Sequence, residues 1–427
     1  MNIKTILKKK AIRDFSAIAG ATLALKPIGF IKSFLVAKYL EVYDYGLLNG
    51  VNLLRDLAKY GSLGFKTVAT RDVLELKGTR TSKSEIDFIK NNSYTYEFAL
   101  SLLLFIAGLV CAFFYLDNLL VFYSVILASF GLLFLKLLSI IQNEAKINKN
   151  FILISKVTLV SGLLTAVLVS ALVPFLRIYA SLIIPTLASI LSIYMYSRSV
   201  THKFHFVFDK KEFFRQLKIG FPISMATVAY GSYVYIEKIA VIGLLGLFSA
   251  GLFGFGQMIL SHIVTLFLMP IRVRGVVIYE NLGAGNYSLV NKIVIRETFF
   301  LLALSFVSII IIWFSLDFFV PKFLPKYNEA IPIAKLLVFV LPFKVIGSYA
   351  PIVLVSKTVN KQNIIPFVQL GAALLLVAGV YLLKLMNLLT LYSFIIVDLI
   401  GYGSYHLVVF YLYFKFYYNK YVRLKGA

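Results

Sequence analysis

The sequence holds one cysteine, Cys111, set in an apolar run, so a disulfide scaffold is excluded and the redox compartment is left open. Charge is scarce: Asp, Glu, Lys and Arg make up 15% of the 427 residues, against about 25% in an average soluble protein. Acids are the scarcer sign, 19 Asp+Glu against 43 Lys+Arg. Long polar stretches are missing as well. No interval between apolar runs exceeds about 30 residues, which leaves no room for a soluble catalytic domain. There is no glycine-rich loop ending in Gly-Lys-Ser/Thr, no His-Glu-x-x-His and no pair of carboxylates in an aqueous loop. No cofactor is expected, and without an ATP site any driving energy must come from an ion gradient, the membrane potential or consumption of product.

What is present is apolar. Hydrophobic residues make up 60% and aromatic residues 15%, with a mean hydropathy of +0.87. That aromatic content excludes disorder. A soluble globule of this composition would expose aggregating patches, so the chain reads as an all-α polytopic membrane protein. The net charge of +24 would suggest nucleic acid in a soluble protein. Here it reads as cations flanking membrane spans, with no nucleic-acid partner.

A span needs about 20 mostly apolar residues. Twelve such runs lie near 15–40, 46–65, 94–115, 119–141, 151–174, 176–197, 219–243, 250–271, 298–320, 331–355, 364–386 and 390–414. With the N-terminus inside, the inside segments carry 29 Lys+Arg and the outside loops 4, namely Arg177, Lys322, Lys326 and Lys384. That is the asymmetry of the positive-inside rule, and it predicts both termini on the cytoplasmic side. The expected organisation is a six-helix lobe over 1–200, a basic cytoplasmic linker over 201–218 and a second six-helix lobe over 219–427.

Twelve spans invite a search for duplication. An offset of 205 residues aligns Leu40 to Leu48 with Leu245 to Phe253, both joining the first and second spans of a half, and places Lys32 opposite Glu237. Halves repeated in this way usually enclose a central cavity. The Tyr45-Gly46 pattern, the Gly220-Phe221-Pro222 opening of span seven, and Tyr235-Ile236-Glu237-Lys238 before Gly246 and Gly251 resemble the polysaccharide biosynthesis (Wzx-type) flippases of the multidrug/oligosaccharidyl-lipid/polysaccharide exporter superfamily. Members of that family often carry Asp-Arg where this chain has Glu237-Lys238. The resemblance implies a two-lobed, multi-pass protein of a prokaryotic cytoplasmic membrane. It would move a polyprenyl-pyrophosphate-linked oligosaccharide to the outer leaflet by alternating access, as a monomer among membrane lipids and other polysaccharide assembly proteins.

With Arg177, Lys384 and Asp317 at run ends counted with the outside loops, ten cations fall inside the twelve runs against four acids, Asp56, Glu97, Glu237 and Asp398. A charge at the bilayer centre costs about 2.5–3.5 kcal/mol on insertion scales, so deep charges are expected to face water or a partner. At 100° per residue, Arg55, Lys59 and Lys66 form one basic stripe on span two, suited to a diphosphate or else snorkelling to the surface. Lys26 and Lys32 lie deep in span one beside Pro27 and Gly29, with Lys32 expected to face the cavity. On span seven Tyr230, Tyr233 and Glu237 share a narrow face, with Lys238 turned about 100° away. This face suits sugar hydroxyls, a proton- or sodium-exchanging carboxyl, or an ion pair with Lys32 or Lys26. Asp398, with Tyr402 and Tyr405 beside it, is a second candidate coupling carboxylate, whereas Glu97 is expected at the interface. His262 and His406 read as packing residues, and Pro185 and Pro342, the latter beside Lys344, as bends.

Two other readings compete. A drug or small-cation exporter of the same superfamily would show a lumen rich in acids, which the excess of intramembrane cations disfavours. A membrane-embedded polysaccharide polymerase would need a long outside loop with Arg or His, and the longest, about Asp317 to Ala330, has no His.

Overall fold

The computed structural model describes Gly20 and residues 24–57, 63–78, 82–148, 150–199, 204–356, 358–361 and 363–423. Among them the regular structure is entirely helical. The first helix, α1, covers 24–39. It is followed by α2 (Val42–Leu57), α3 (Phe65–Gly78), α4 (Lys83–Phe113), α5 (Leu119–Ile147), α6 (Phe151–Leu176), α7 (Ile178–Ser197) and α8 (Lys210–Ala240). A π-helical turn, Val241–Leu245, leads into α9 (Gly246–Gly283) and α10 (Tyr287–Phe323). Three short helices come next, α11 (Ala330–Leu337), α12 (Val340–Ile346) and α13 (Ala350–Val355). The chain closes with α14 (Ile364–Leu385), α15 (Leu391–Tyr413) and a π-helical extension, Phe414–Arg423. Nine stretches of the described residues are long and apolar enough to cross a membrane. One of them, Gly231–Leu268, contains Gly246, whose φ of 83° breaks the helix.

The helices overrun the apolar runs on the basic side. α4 begins at Lys83 and α10 at Tyr287, about 11 residues before the expected spans, and residues 210–218 of the expected linker are the start of α8. Polar side chains stabilise these ends. Ser82 caps α4 by accepting from the Glu85 N–H at 3.4 Å, and Asp209 Oδ1 accepts from the Glu212 N–H at 2.7 Å at the start of α8. The run at 331–355 is three helices rather than one. Pro342 has no N–H for the Val338 carbonyl, which instead accepts from Leu341 at 3.0 Å, a tighter i→i−3 bond.

The chain divides into two compact units: residues 1–40 with 47–225, and 41–46 with 226–427. In the first, α4 packs on α3 and α5, and α7 on α5 and α6. Gly64, at φ 82°, lies against Gly220, where a Cβ would stand 2.2 Å from the Gly220 carbonyl oxygen. In the second, α15 packs on α12, α13 and α14, and α9 on α10 and α11. Tyr45 meets Tyr327 edge-on at 6.0 Å, and Tyr327 stacks on Phe255 at 4.6 Å. A Cβ on Gly46 would stand 1.8 Å from the Leu247 carbonyl oxygen, and one on Gly251 1.9 Å from that of Val42.

Candidate functional sites

The second unit holds a buried polar cluster. α8 carries Tyr233 and Glu237, four residues apart, and α15 carries Asp398 and Tyr402 at the same spacing, so each pair lies on one helix face. Each tyrosine bonds the other helix's carboxylate. The Tyr233 hydroxyl donates to Asp398 Oδ1 at 2.9 Å, and that of Tyr402 to Glu237 Oε2 at 3.2 Å. The two rings lie 4.4 Å apart. Gly401 makes room for this crossing, since a Cβ there would stand 2.2 Å from the Tyr233 hydroxyl. Gln257 of α9 donates its amide to the other oxygen of Glu237.

Lys344 of α12 places its ammonium 4.6 Å above the Tyr402 ring, within electrostatic reach of both carboxylates. Glu237 and Asp398 are 1% and 0% exposed, and Asp398 Oδ2 has no hydrogen-bond partner among the described residues. The chemistry on offer is therefore two carboxylate groups, one ammonium and two phenol donors, with one carboxylate oxygen left unserved. Such a set can exchange a proton or hold a small cation. It also offers donors and acceptors to a hydroxyl-rich ligand. His406 lies beside it with its ring 6.4 Å from that of Tyr402 and its Nδ1 buried without a hydrogen-bond partner among the described residues.

The first unit holds a cationic site. Arg55 on α2 and Lys32 on α1 are half-buried; Lys32 lies within electrostatic reach of the Arg55 charge, and Arg55 within reach of its acidic neighbour Asp56. The Arg55 guanidinium lies against Gly131 of α5, where a Cβ would stand 3.2 Å from Nη2, and Arg55 Nε is buried without a hydrogen-bond partner among the described residues. Lys26 is half-buried on the same helix as Lys32.

The single basic stripe expected on span two does not form. Leu63 and Gly64 adopt positive φ, 46° and 82°, and end the helical register, so Lys66 belongs to α3 and donates to Ser139 of α5 at 2.5 Å. Lys59 lies outside the described residues, as does the side chain of Tyr230. Lys238 is half-buried on α8, next to Glu237. Glu97 is 3% exposed, and Lys136 reaches it at 3.8 Å from α5. Of the residues singled out in the sequence, the structure brings Tyr233, Glu237 and Asp398 into one cluster and sets Lys32 near Arg55. Gln257, and the joining of Lys344 to the carboxylates, carried no sequence signal beyond depth in a span.

The profile of a family described as polysaccharide biosynthesis protein matches residues 11–275. No curated protein sequence matches the chain. Among solved structures, the lipid II flippase MurJ in an inward closed conformation superposes with a TM-score of 0.72 at 16% identity, covering 92% of this chain and 87% of that one. A multidrug resistance MATE family transporter of the MOP superfamily, inward-facing, gives 0.63 at 15% identity over 94% and 96%. A eukaryotic MATE transporter gives 0.59 at 14% identity over 94% and 95%. At these identities the likeness is one of fold.

Proposed function

Because the chain belongs to the polysaccharide biosynthesis protein family, a transporter family of the MOP superfamily, we propose that it is a flippase. Its cargo would be a polyprenyl-pyrophosphate-linked oligosaccharide, moved across a prokaryotic cytoplasmic membrane by alternating access during surface polysaccharide assembly. In this reading the chain has twelve spans in two lobes, with both termini on the cytoplasmic side. The observation that carries it is the pairing of Lys32 with Arg55. Two like charges held near each other in a half-buried setting repel, and a diphosphate is the ligand that turns this repulsion into charge-assisted hydrogen bonds. Arg55 presents the guanidinium fork suited to two phosphate oxygens, and Lys32 a point charge.

The carboxylate cluster of the second unit serves the energy side of the reading. Glu237 and Asp398 are positioned by tyrosine hydroxyls and Gln257 to take up a proton or a small cation, with Lys344 as the resident countercharge. Tyr233, Tyr402 and Lys238 supply polar groups suited to the glycan.

The purified protein is tested for binding of a polyprenyl pyrophosphate against the matching polyprenyl alcohol, by native mass spectrometry. The diphosphate should bind in a salt-dependent way, and Lys32→Ala with Arg55→Ala should abolish that binding. Equal binding of the alcohol, or tight binding of an organic cation with none of the diphosphate, would overturn the reading in favour of an exporter.

A further inference from the structure

Between α7 and α8 the chain runs extended over 204–209, Phe204-His205-Phe206-Val207-Phe208-Asp209, beside the N-terminal half of α4. The odd-numbered residues are bound to that helix through their backbone. The His205 N–H donates to Asn91 Oδ1 at 3.3 Å, that of Val207 to Thr95 Oγ1 at 3.1 Å and that of Asp209 to Asn92 Oδ1 at 2.8 Å. The Tyr96 hydroxyl donates to the Asp209 carbonyl at 2.7 Å. Positions 91, 92, 95 and 96 form one stripe of a helix, so α4 presents a ladder of polar side chains to every second residue of the segment. The even-numbered residues are all phenylalanine. Phe204, Phe206 and Phe208 are 39%, 66% and 67% exposed, although Phe206 meets Phe98 at 5.3 Å and Phe208 meets Tyr96 at 5.6 Å.

A loop in water needs neither device. Water satisfies its amides at no structural cost, and three adjacent exposed phenylalanines would be a liability there. At the edge of the hydrocarbon both devices are required: backbone donors must find partners in the protein, and aromatic rings sit favourably. Charge agrees with this placement. Lys210 and Lys211 follow Asp209, which is engaged in capping α8, and are exposed, as is Arg198 before the aromatic run, which matches anionic headgroups. We infer that residues 204–209 form a strap lying in the headgroup–acyl boundary of the cytoplasmic leaflet, its phenylalanines in the acyl region and its flanking cations on anionic phospholipid. The partner is the lipid surface itself, and the segment is a membrane anchor rather than a solvated linker. This inference is independent of what the protein transports.

The test uses a tryptophan probe in the full-length protein. Trp313→Phe removes the native fluorophore and Phe206→Trp installs one on the strap, with reconstitution into vesicles of phosphatidylcholine and phosphatidylglycerol. Phospholipid brominated near the headgroup end of its chains should quench the emission several-fold more than phospholipid brominated near the chain terminus, and acrylamide should quench weakly. Adding Asn92→Ala and Thr95→Ala should release the strap, shifting the emission to the red and restoring acrylamide quenching. Strong acrylamide quenching before that release would place the segment in water and overturn the inference. Protection from both quenchers would equally overturn it, in favour of a protein contact or a bound cargo chain. Where Phe206→Trp does not reach the membrane, Phe208→Trp carries the same test.

Discussion

Gly46 and Gly251, separated by the 205-residue offset of the internal repeat, face each other at backbone distance in the second unit. A Cβ on Gly46 would meet the Gly251 nitrogen at 2.9 Å and the Leu247 oxygen at 1.8 Å, and one on Gly251 would meet the Val42 oxygen at 1.9 Å. Val42 and Leu247 are themselves 205 residues apart. The contact is therefore reciprocal, as in a two-fold interface: each glycine touches the residue equivalent to the one its counterpart touches.

Alanine at either position must push one backbone away from the other. Overpacking typically costs about 1–3 kcal/mol, more when backbone is struck. Gly46→Ala and Gly251→Ala should each lower the melting temperature in detergent, and Gly251→Val should abolish folded yield. Gly371, on exposed α14 with nothing within 4 Å of an added Cβ, is the control: Gly371→Ala should be neutral or gain about 0.5–1 kcal/mol.

Lys32 and Arg55 should separate stability from activity. Relieving like-charge repulsion should leave Lys32→Met as stable as the parent or more so, while export of the lipid-linked glycan falls at least ~10-fold, the effect of about 1.4 kcal/mol. Arg55→Lys should recover only part of the activity lost in Arg55→Ala, because a lysine lacks the fork. Full export by the Lys32→Met, Arg55→Ala double variant, read as lectin-accessible glycan lipid on intact cells, would show that neither residue reads the cargo.

The tyrosine–carboxylate pairs make a further prediction. If Glu237 is ionised when Tyr402 donates to it, the double-mutant cycle of Tyr402→Phe with Glu237→Gln should give a coupling of about 1.5–3 kcal/mol. A neutral pair should give about 1 kcal/mol. In transport, Glu237→Gln and Asp398→Asn should abolish the dependence on an imposed ion gradient in proteoliposomes while cargo binding persists. Unchanged gradient dependence in both variants would remove the cluster from the energetics.

Lys90 and Glu144 form a buried ion pair at 2.7 Å, 5% and 3% exposed, with Tyr94 donating to the second carboxylate oxygen at 2.9 Å. Removing one partner of such a pair costs about 3–5 kcal/mol, whereas replacing both with apolar residues can be nearly neutral. Glu144→Leu should therefore greatly reduce folded yield, and Lys90→Met with Glu144→Leu should restore most of it. A double variant as unstable as the single would mean that Glu144 acts instead through Tyr94 and through Asn148, whose amide donates to it at 3.0 Å.

Hydropathy made the helical membrane fold legible; the Tyr45-Gly46 and Gly251 stretches stood out as equivalent positions of a repeat, but their contact showed only in the structure. Residues within one helix were legible too: Tyr233 and Glu237 share a face because four residues make about one turn. What escaped was of two kinds. Pairings such as Tyr233 with Asp398 join residues 165 apart, and no period reports them. Helix ends beyond the apolar runs escaped because an apolar criterion stops at the first charges, whereas α4 begins at Lys83 and carries its basic turns to Lys90 on a cap and an ion pair. The break at Leu63-Gly64 fell within an apolar stretch, where only backbone conformation shows it.

The breaks around α12 have a consequence for exchange with solvent deuterium. Lys344 rides on a seven-residue helix bounded by turns at 338–339 and 347–349. Amides at those turns bond to the third residue back, as Phe339 does to Leu336 and Ser348 to Val345, each at 3.1 Å. Short helices interrupted by turns open at lower free energy than long unbroken ones. Deuterium uptake across 330–355 should therefore alternate: slow over α11, fast at the first turn, slow over α12, fast at the second turn and slow again over α13. α14, an unbroken helix of 22 residues, should stay uniformly protected along its middle turns. Lys344 would thus be carried on a stretch whose backbone clock runs at two rates.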